Sequence, residues 1–188
     1  MTFGKKSLRV EALSRRDSLG APERASAGRA LAAAVPPLVQ GRTAAYVSIG
    51  SEPGTALLLA RLDDVLLPVL LPDGDLDWVL FDGELVPGPM GLLEPAGQRL
   101  GRDAVADCSL VVVPALAVDR SGTRLGRGGG SYDRALKRTS ALVVAALHLG
   151  ELVEALPAEP HDQPVGAVVL PDRGLVILGS GGPGGMET

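Results

Sequence analysis

Apolar residues in this chain fall in short clusters separated by glycine, proline and aspartate. Residues 5–18 carry Leu8, Ala12 and Leu13 between charges, which predicts a moderately amphipathic helix. Pro22 sits where a helix starts, and residues 23–35 predict a second helix ended by Pro36-Pro37. Residues 43–49 then predict a first strand, 50–54 a loop, and 55–62 a short helix with Thr55 near its N-cap. Residues 65–71 predict a second strand. Residues 78–81 predict a third, paired with 84–86 through the turn Asp82-Gly83, and 88–95 an ordered loop. Residues 110–113 read as the central strand and 142–147 as another buried one. Residues 166–170 and 175–178 are late strands, the last a hairpin return through Asp172-Arg173-Gly174.

No strand precedes the first two helices, so residues 5–35 are expected to pack on the outside of the sheet. The strands are apolar runs rather than strict alternations, and they alternate with helices. That implies an α/β fold: a mostly parallel sheet with helices on both faces, a Rossmann-like three-layer architecture. The 188 residues suit one domain, assigned to 1–179, with 180–188 a flexible glycine-rich tail. Ligands on such sheets sit beyond the carboxyl ends of the strands, so the loops after Ile49, Val113 and Leu147 are expected to converge on one cleft.

One stretch carries candidate chemistry. Arg124-Leu125-Gly126-Arg127-Gly128-Gly129-Gly130-Ser131-Tyr132-Asp133-Arg134 lies between the 110–113 strand and a helical pattern from Ala135. Glycines let backbone turn sharply and approach a ligand closely. The free N–H groups of a helix's first turn favour an anion. Three arginines and Asp133 around them suit a phosphate with a divalent metal beside it. The Walker pattern fails for want of a lysine, and the dinucleotide pattern fails at Ser131. A plain surface turn is the alternative, in a chain with 25 glycines.

Composition removes several classes. The net charge of −4 gives no broad basic field, and 3% aromatics leave little for base stacking, so no nucleic-acid partner is expected. A single cysteine, Cys108, excludes an internal disulfide or a multi-cysteine zinc site, and reads as a buried thiol. The start lacks a secretory apolar core and no apolar run reaches ~18 residues. A cytoplasmic protein with no membrane partner, a monomer or weak homodimer, is the expectation.

The run from Val113-Pro114 through Asp119-Arg120-Ser121-Gly122-Thr123-Arg124 to Asp133-Arg134 resembles the signature of the 5-formyltetrahydrofolate cyclo-ligase family. Further motifs agree in order: Lys5-x-x-Leu8-Arg9, Glu52-x-x-Thr55, Gly91-x-x-Glu94-Pro95 and Leu156-Pro157-x-Glu159-x-His161-Asp162. The resemblance spans residues 5 to about 170. It implies an ATP-dependent C–N ligase. 5-Formyltetrahydrofolate, which can carry a polyglutamate tail, and MgATP would give 5,10-methenyltetrahydrofolate, ADP and phosphate.

The resemblance also implies roles. Lys5 and Arg9 would reach ATP phosphates, and Arg124, Leu125, Gly126, Arg127, Gly128, Gly129, Gly130, Ser131 and Tyr132 would wrap the nucleotide. Arg124 and Arg127 would act on the transferring phosphoryl group. Val47, Glu52, Arg127, Gly128, Gly129, Gly130 and Ser131 would contact the folate. Asp133 and Asp162 would hold Mg²⁺. Taken without the family, Lys5 and Arg9 read as solvated charges, Glu52 as a capping carboxylate, and Asp162 as a turn cap. Glu94 reads equally as a folate contact or a loop support. His161 reads as an ordered loop residue and His148 as a satisfied strand-end histidine.

Three positions depart from the family pattern: Ser131 where a second tyrosine is common, Glu151 where a glutamine is common, and Gly166 in place of an acidic residue. None removes a presumed metal or phosphate residue. The departures keep two further readings in view, a paralogue acting on another folate or pterin amide and a non-catalytic folate- or nucleotide-binding module.

Overall fold

The computed structural model describes residues 4–179. The expected tail at 180–188 lies outside the described residues.

Two helices lead: α1, Lys5–Asp17, and α2, Ala21–Ala34. Glu23 caps the start of α2 by accepting the Gly20 N–H at 2.6 Å, and Pro36 and Pro37 follow its end. Then come β1 (Thr43–Ala44), α3 (Ala56–Leu59), β2 (Val65–Leu70), β3 (Leu76–Leu80), β4 (Leu85–Pro87) and β5 (Leu93–Pro95). The second half holds β6 (Leu110–Pro114), β7 (Ala117–Asp119), β8 (Arg124–Leu125), α4 (Ser131–Leu136), β9 (Leu142–Ala146), β10 (Leu152–Val153), β11 (Ala167–Leu170) and β12 (Gly174–Ile177).

The main sheet has the order β12-β11-β9-β6-β1-β2-β3. Its five inner strands are parallel, and β3 and β12 close the two edges antiparallel. β6 is central, as its unbroken apolar run implied. Adjacent residues of one strand enter opposite layers. Val112 and Val169 pack with Leu31 of α2 and Leu58 of α3, whereas Val111, Val113 and Val168 pack with Val105, Ala135 and Leu136. A strand buried on both faces has no polar position to alternate with. The α/β class and the mostly parallel sheet are therefore as expected.

Several local expectations are corrected. β1 pairs only over Thr43 and Ala44, short of the predicted 43–49. Beyond it the loop's side chains take over the backbone: the Ser48 N–H donates to Thr55 Oγ1 at 3.1 Å, and the Ile49 N–H to Glu52 Oε2 at 3.0 Å. The third strand pairs back onto β2 through the turn at Asp73-Gly74, where Gly74 has φ +80°. Residues 85–87 pair instead with β5, a strand inside the 88–95 segment expected to be a loop. α1 does not lie on the main sheet. Its Ala12 packs with Leu116, Ala117 and Leu125, on a small sheet of order β10-β7-β8 that intervenes between β6 and the glycine loop.

Candidate functional site

The chain runs outward from β1 through β2 to β3 on one side, and from β6 through β9 to β11 on the other. The sheet's topological switch point thus lies between β1 and β6. A cleft of about 690 Å³ opens beyond the carboxyl ends of these two strands, between Val47 and Ile49 after β1 and Pro114 at the end of β6. The loop after Leu147 does not line it. That loop supports it instead: His148 Nε2 lies 2.9 Å from the Ser51 carbonyl, beside Glu52.

The glycine loop forms one wall. Asp119, 4% exposed, fixes the turn that leads into it by accepting the N–H groups of Ser121 and Thr123, each at 2.9 Å. Gly128 and Gly130 have φ of +104° and +69°, the left-handed region. A Cβ at Gly128 would lie 3.3 Å from Arg9 Cζ, and one at Gly130 2.9 Å from Arg134 Nη1. The loop is thus bare backbone framed by guanidinium groups. Arg124 Nη2 donates to Asp133 Oδ1 at 3.0 Å, and its Cζ lies 5.8 Å from the Tyr132 ring centroid. Its Nε is buried with no partner.

α1 forms a second wall through one stripe of cations. Lys5, Arg9 and Arg16 stand at i, i+4 and i+11, on one helical face with Ala12. Lys5 Nζ lies 2.6 Å from Glu159 Oε2 and 2.6 Å from Asp162 Oδ2. Burial favours the neutral lysine, but the hydrogen bonds and charges of Asp162 and Glu159 outweigh it and hold its pKa above the usual 10.5. Burial likewise opposes the Asp162 charge, and the Lys5 and Glu159 N–H bonds overcome it, so its pKa falls below the usual 3.8. Arg9 Nε donates to the Gly126 carbonyl at 2.8 Å.

Arg16 goes deepest. Its Nε and Nη2 each donate to Glu151 at 2.7 Å, and Nη2 also reaches the Ala115 carbonyl. Glu151 accepts the His148 N–H at 2.8 Å as well. The acidic residue that departs from the family pattern is therefore the buried partner of a cleft arginine. Burial lowers the His148 pKa below 6.5, which keeps the ring neutral at pH 7.

Glu52 is 8% exposed. It accepts from the Ile49 N–H and, at 3.1 Å, from Arg127 Nε. Arg127 thus ties the glycine loop to the loop after β1.

Glu159, His161 and Asp162 bring one ligand atom each to within 4.8 Å of one another. Asp133 is not in that trio but borders it, since its Oδ1 accepts the Gln163 N–H at 3.2 Å. The carboxylate oxygens of Glu159, Asp162 and Asp133 are hard donors that suit a magnesium ion that keeps several waters. The Lys5 ammonium already finds a favourable cation environment on two of these carboxylates.

Lys5, Arg9, Val47, Glu52, Arg124, Gly126 to Ser131, Tyr132, Asp133 and Asp162 all line this one cleft. Leu125 does not: it is 2% exposed and packs under α1. Sequence reasoning missed Arg16, although its spacing from Lys5 and Arg9 carried the signal. It also gave no site role to His161 or Glu159, both of which face the cleft.

Fold and cleft define an α/β protein with a ligand site at the switch point of a parallel sheet, walled by a glycine loop and a stripe of cations. The sequence profile of the 5-formyltetrahydrofolate cyclo-ligase family matches residues 2–171, and the chain belongs to that family. A 5-formyltetrahydrofolate cyclo-ligase of Mycolicibacterium smegmatis is 44% identical over 153 residues, 74% of this chain and 79% of that protein. One from Escherichia coli K12 is 34% identical over 150 residues, 73% of this chain and 82% of the relative. Among solved structures, the Aquifex aeolicus 5,10-methenyltetrahydrofolate synthetase superposes with a TM-score of 0.77 at 27% identity, covering 98% of this chain and 96% of that one. No described helix is long and apolar enough to cross a membrane.

Proposed function

We propose that this protein converts 5-formyltetrahydrofolate to 5,10-methenyltetrahydrofolate at the expense of MgATP, releasing ADP and phosphate. The observation that carries the reading is the Arg127–Glu52 contact of 3.1 Å, which joins an anion-binding loop to an apolar pocket within one cleft. A reaction that moves phosphate onto a second substrate needs both in that relation.

An N-formyl amide is a poor electrophile. Transfer of the γ-phosphoryl group to the formyl oxygen turns that oxygen into a leaving group. N10 then attacks the formyl carbon and loses its proton, the C–O bond breaks, and phosphate departs as the ring closes. Lys5 and Arg9 hold the phosphates, and Arg124 and Arg127 face the charge that develops on the transferring group. Val47 and Glu52 contact the folate ring, and the bare backbone of 128–130 holds its formyl end. Asp133 and Asp162 would hold Mg²⁺, with Glu159 and His161 beside them. When bound, the ion neutralises phosphate charge. No protein nucleophile is required. The reading includes a cytoplasmic setting, and a folate whose glutamate tail can extend out of the cleft.

The test is a coupled assay on purified protein with 5-formyltetrahydrofolate and MgATP. Methenyl chromophore and ADP in equal amounts, neither without Mg²⁺, is the expected result. ADP with a different pterin amide but none with 5-formyltetrahydrofolate would replace this reading with the paralogue. Tight folate binding with no ADP would replace it with a binding module.

A further inference from the structure

The carboxylates that line the cleft differ in one respect. Glu52 is engaged by Arg127 and the Ile49 N–H, and Asp133 by Arg124 and the Gln163 N–H. Asp162 and Glu159 share Lys5. Of these cleft-lining carboxylates, among the described residues, Glu94 is the one with neither an ion pair nor a hydrogen bond, and its Oε1 is fully buried without a partner. A buried carboxylate oxygen left unpaired is costly, and folded proteins rarely keep one without a use.

Its placement is specific. Glu94 sits in β5, which packs beside β2, whose Pro68 and Leu70 line the same wall of the cleft. Leu92 and Leu93 flank it, and Leu93 is 47% exposed. The side chain lies directly over Gly88: a Cβ there would be 2.6 Å from both Glu94 Cγ and Cδ. Any other residue at 88 would displace the carboxylate. The result is an unpaired acceptor set in an apolar wall.

We infer that Glu94 is a folate-binding residue, its carboxylate accepting the adjacent ring N–H and exocyclic amino donors on the edge of the pterin ring. The inference rests on the proposed function. The chemistry fits: a flat heteroaromatic ring packs on Leu92, Leu93 and Leu70, and two parallel N–H donors match the two oxygens of a carboxylate once the side chain turns its buried Oε1 toward the cleft. The 2-amino group and N3–H of a pterin are such a pair. Binding then satisfies a group that the free protein leaves unpaired, and a ligand lacking the donors is rejected for the same reason.

The test compares the wild-type protein with Glu94→Gln, which keeps the shape, and Glu94→Ala. Equilibrium binding of 5-formyltetrahydrofolate, of its 2-desamino-2-methyl analogue and of a non-hydrolysable ATP analogue is measured beside thermal stability. Glu94→Gln is expected to weaken folate binding about 10- to 100-fold. It should leave nucleotide binding unchanged and melt close to the wild-type temperature, because no hydrogen bond or ion pair of the free protein is lost. The wild type is expected to prefer the parent folate to the desamino analogue, and Glu94→Ala to lose that preference. Unchanged folate affinity in Glu94→Gln overturns the inference. So does a fall in melting temperature with equal loss of both ligands, the mark of a loop support. If the wild type turns over 5-formyltetrahydrofolate but Glu94→Gln binds it normally, only the Glu94 assignment fails. If the wild type neither binds nor turns it over, the proposed function fails and takes this inference with it.

Discussion

Glu151→Ala tests what holds α1 over the cleft. The Glu151 side chain is 0% exposed and that of Arg16 1%. Glu151 accepts two bonds from Arg16 at 2.7 Å and one from the His148 N–H at 2.8 Å. Arg15 adds a longer contact at 3.4 Å. Removing the carboxylate leaves a buried guanidinium with the Ala115 carbonyl alone and strips the His148 N–H of its acceptor. Breaking a buried pair in this way costs about 3–5 kcal/mol. For a chain of this length that is a fall in melting temperature of about 6–20 °C. Glu151→Gln keeps the shape and one good acceptor and is expected to lose about 1–3 kcal/mol. Urea unfolding followed by the fluorescence of Trp78, the one tryptophan and 0% exposed, gives the free energy directly. Arg16→Met should cost as much as Glu151→Ala, whereas Arg16→Met with Glu151→Leu should cost only about 0–2 kcal/mol, because no buried charge is left alone. A Glu151→Ala loss under about 1 kcal/mol, or singles that simply add in the double, would refute the reasoning.

Three more outcomes are expected. Asp133→Asn keeps an acceptor for Arg124 and the Gln163 N–H but removes charge, so turnover should fall by about 10³-fold while stability shifts by no more than about 1–2 kcal/mol; near-normal ADP formation by the folded variant would sink the metal role. Gly128→Ala forces a side chain into φ +104° against Arg9, costing about 1–2 kcal/mol and weakening nucleotide binding more than folate binding in parallel titrations. The hydrogen bonds from Arg138, at 3.1 and 2.6 Å, hold the buried Asp75 below its usual pKa of 3.8, with burial opposing them. A depressed carboxylate pKa stabilises the fold above the unfolded value and loses that contribution as pH falls through the folded value. The stability gap between wild type and Asp75→Asn should therefore be flat from about pH 5 to 7 and begin to narrow below about pH 4; a gap that does not narrow at all as pH falls from about 5 to about 2.5 would contradict the assignment.

The large features of this fold were legible for a physical reason. Runs such as Leu110–Pro114 are apolar throughout because both faces are covered, and that pattern fixes a parallel three-layer sheet. The glycine loop was legible because Gly128 and Gly130 need φ values that other residues avoid. What escaped depends on contacts distant in sequence. Nothing local says that the 85–87 strand pairs forward with β5, since Asp82-Gly83 is as good a turn signal as Asp73-Gly74. The small sheet of β7, β8 and β10 rests on Asp119 capping its own turn and accepting the Leu156 N–H, 37 residues away, at 2.9 Å. Arg16 looked like one more charge on a polar helix until Glu151 arrived from 135 residues downstream. Glu94 is conspicuous only because every other acid in the cleft has a partner, which no sequence pattern records.

The most direct test of the proposed chemistry follows one atom. 5-Formyltetrahydrofolate labelled with ¹⁸O in its formyl group is turned over with unlabelled MgATP, and the phosphate is analysed by mass. If the phosphoryl group moves to the formyl oxygen before N10 closes the ring, the ¹⁸O leaves in inorganic phosphate, one atom for each methenyl product and each ADP. Methenyl product with unlabelled phosphate, the ¹⁸O appearing in water, would contradict it.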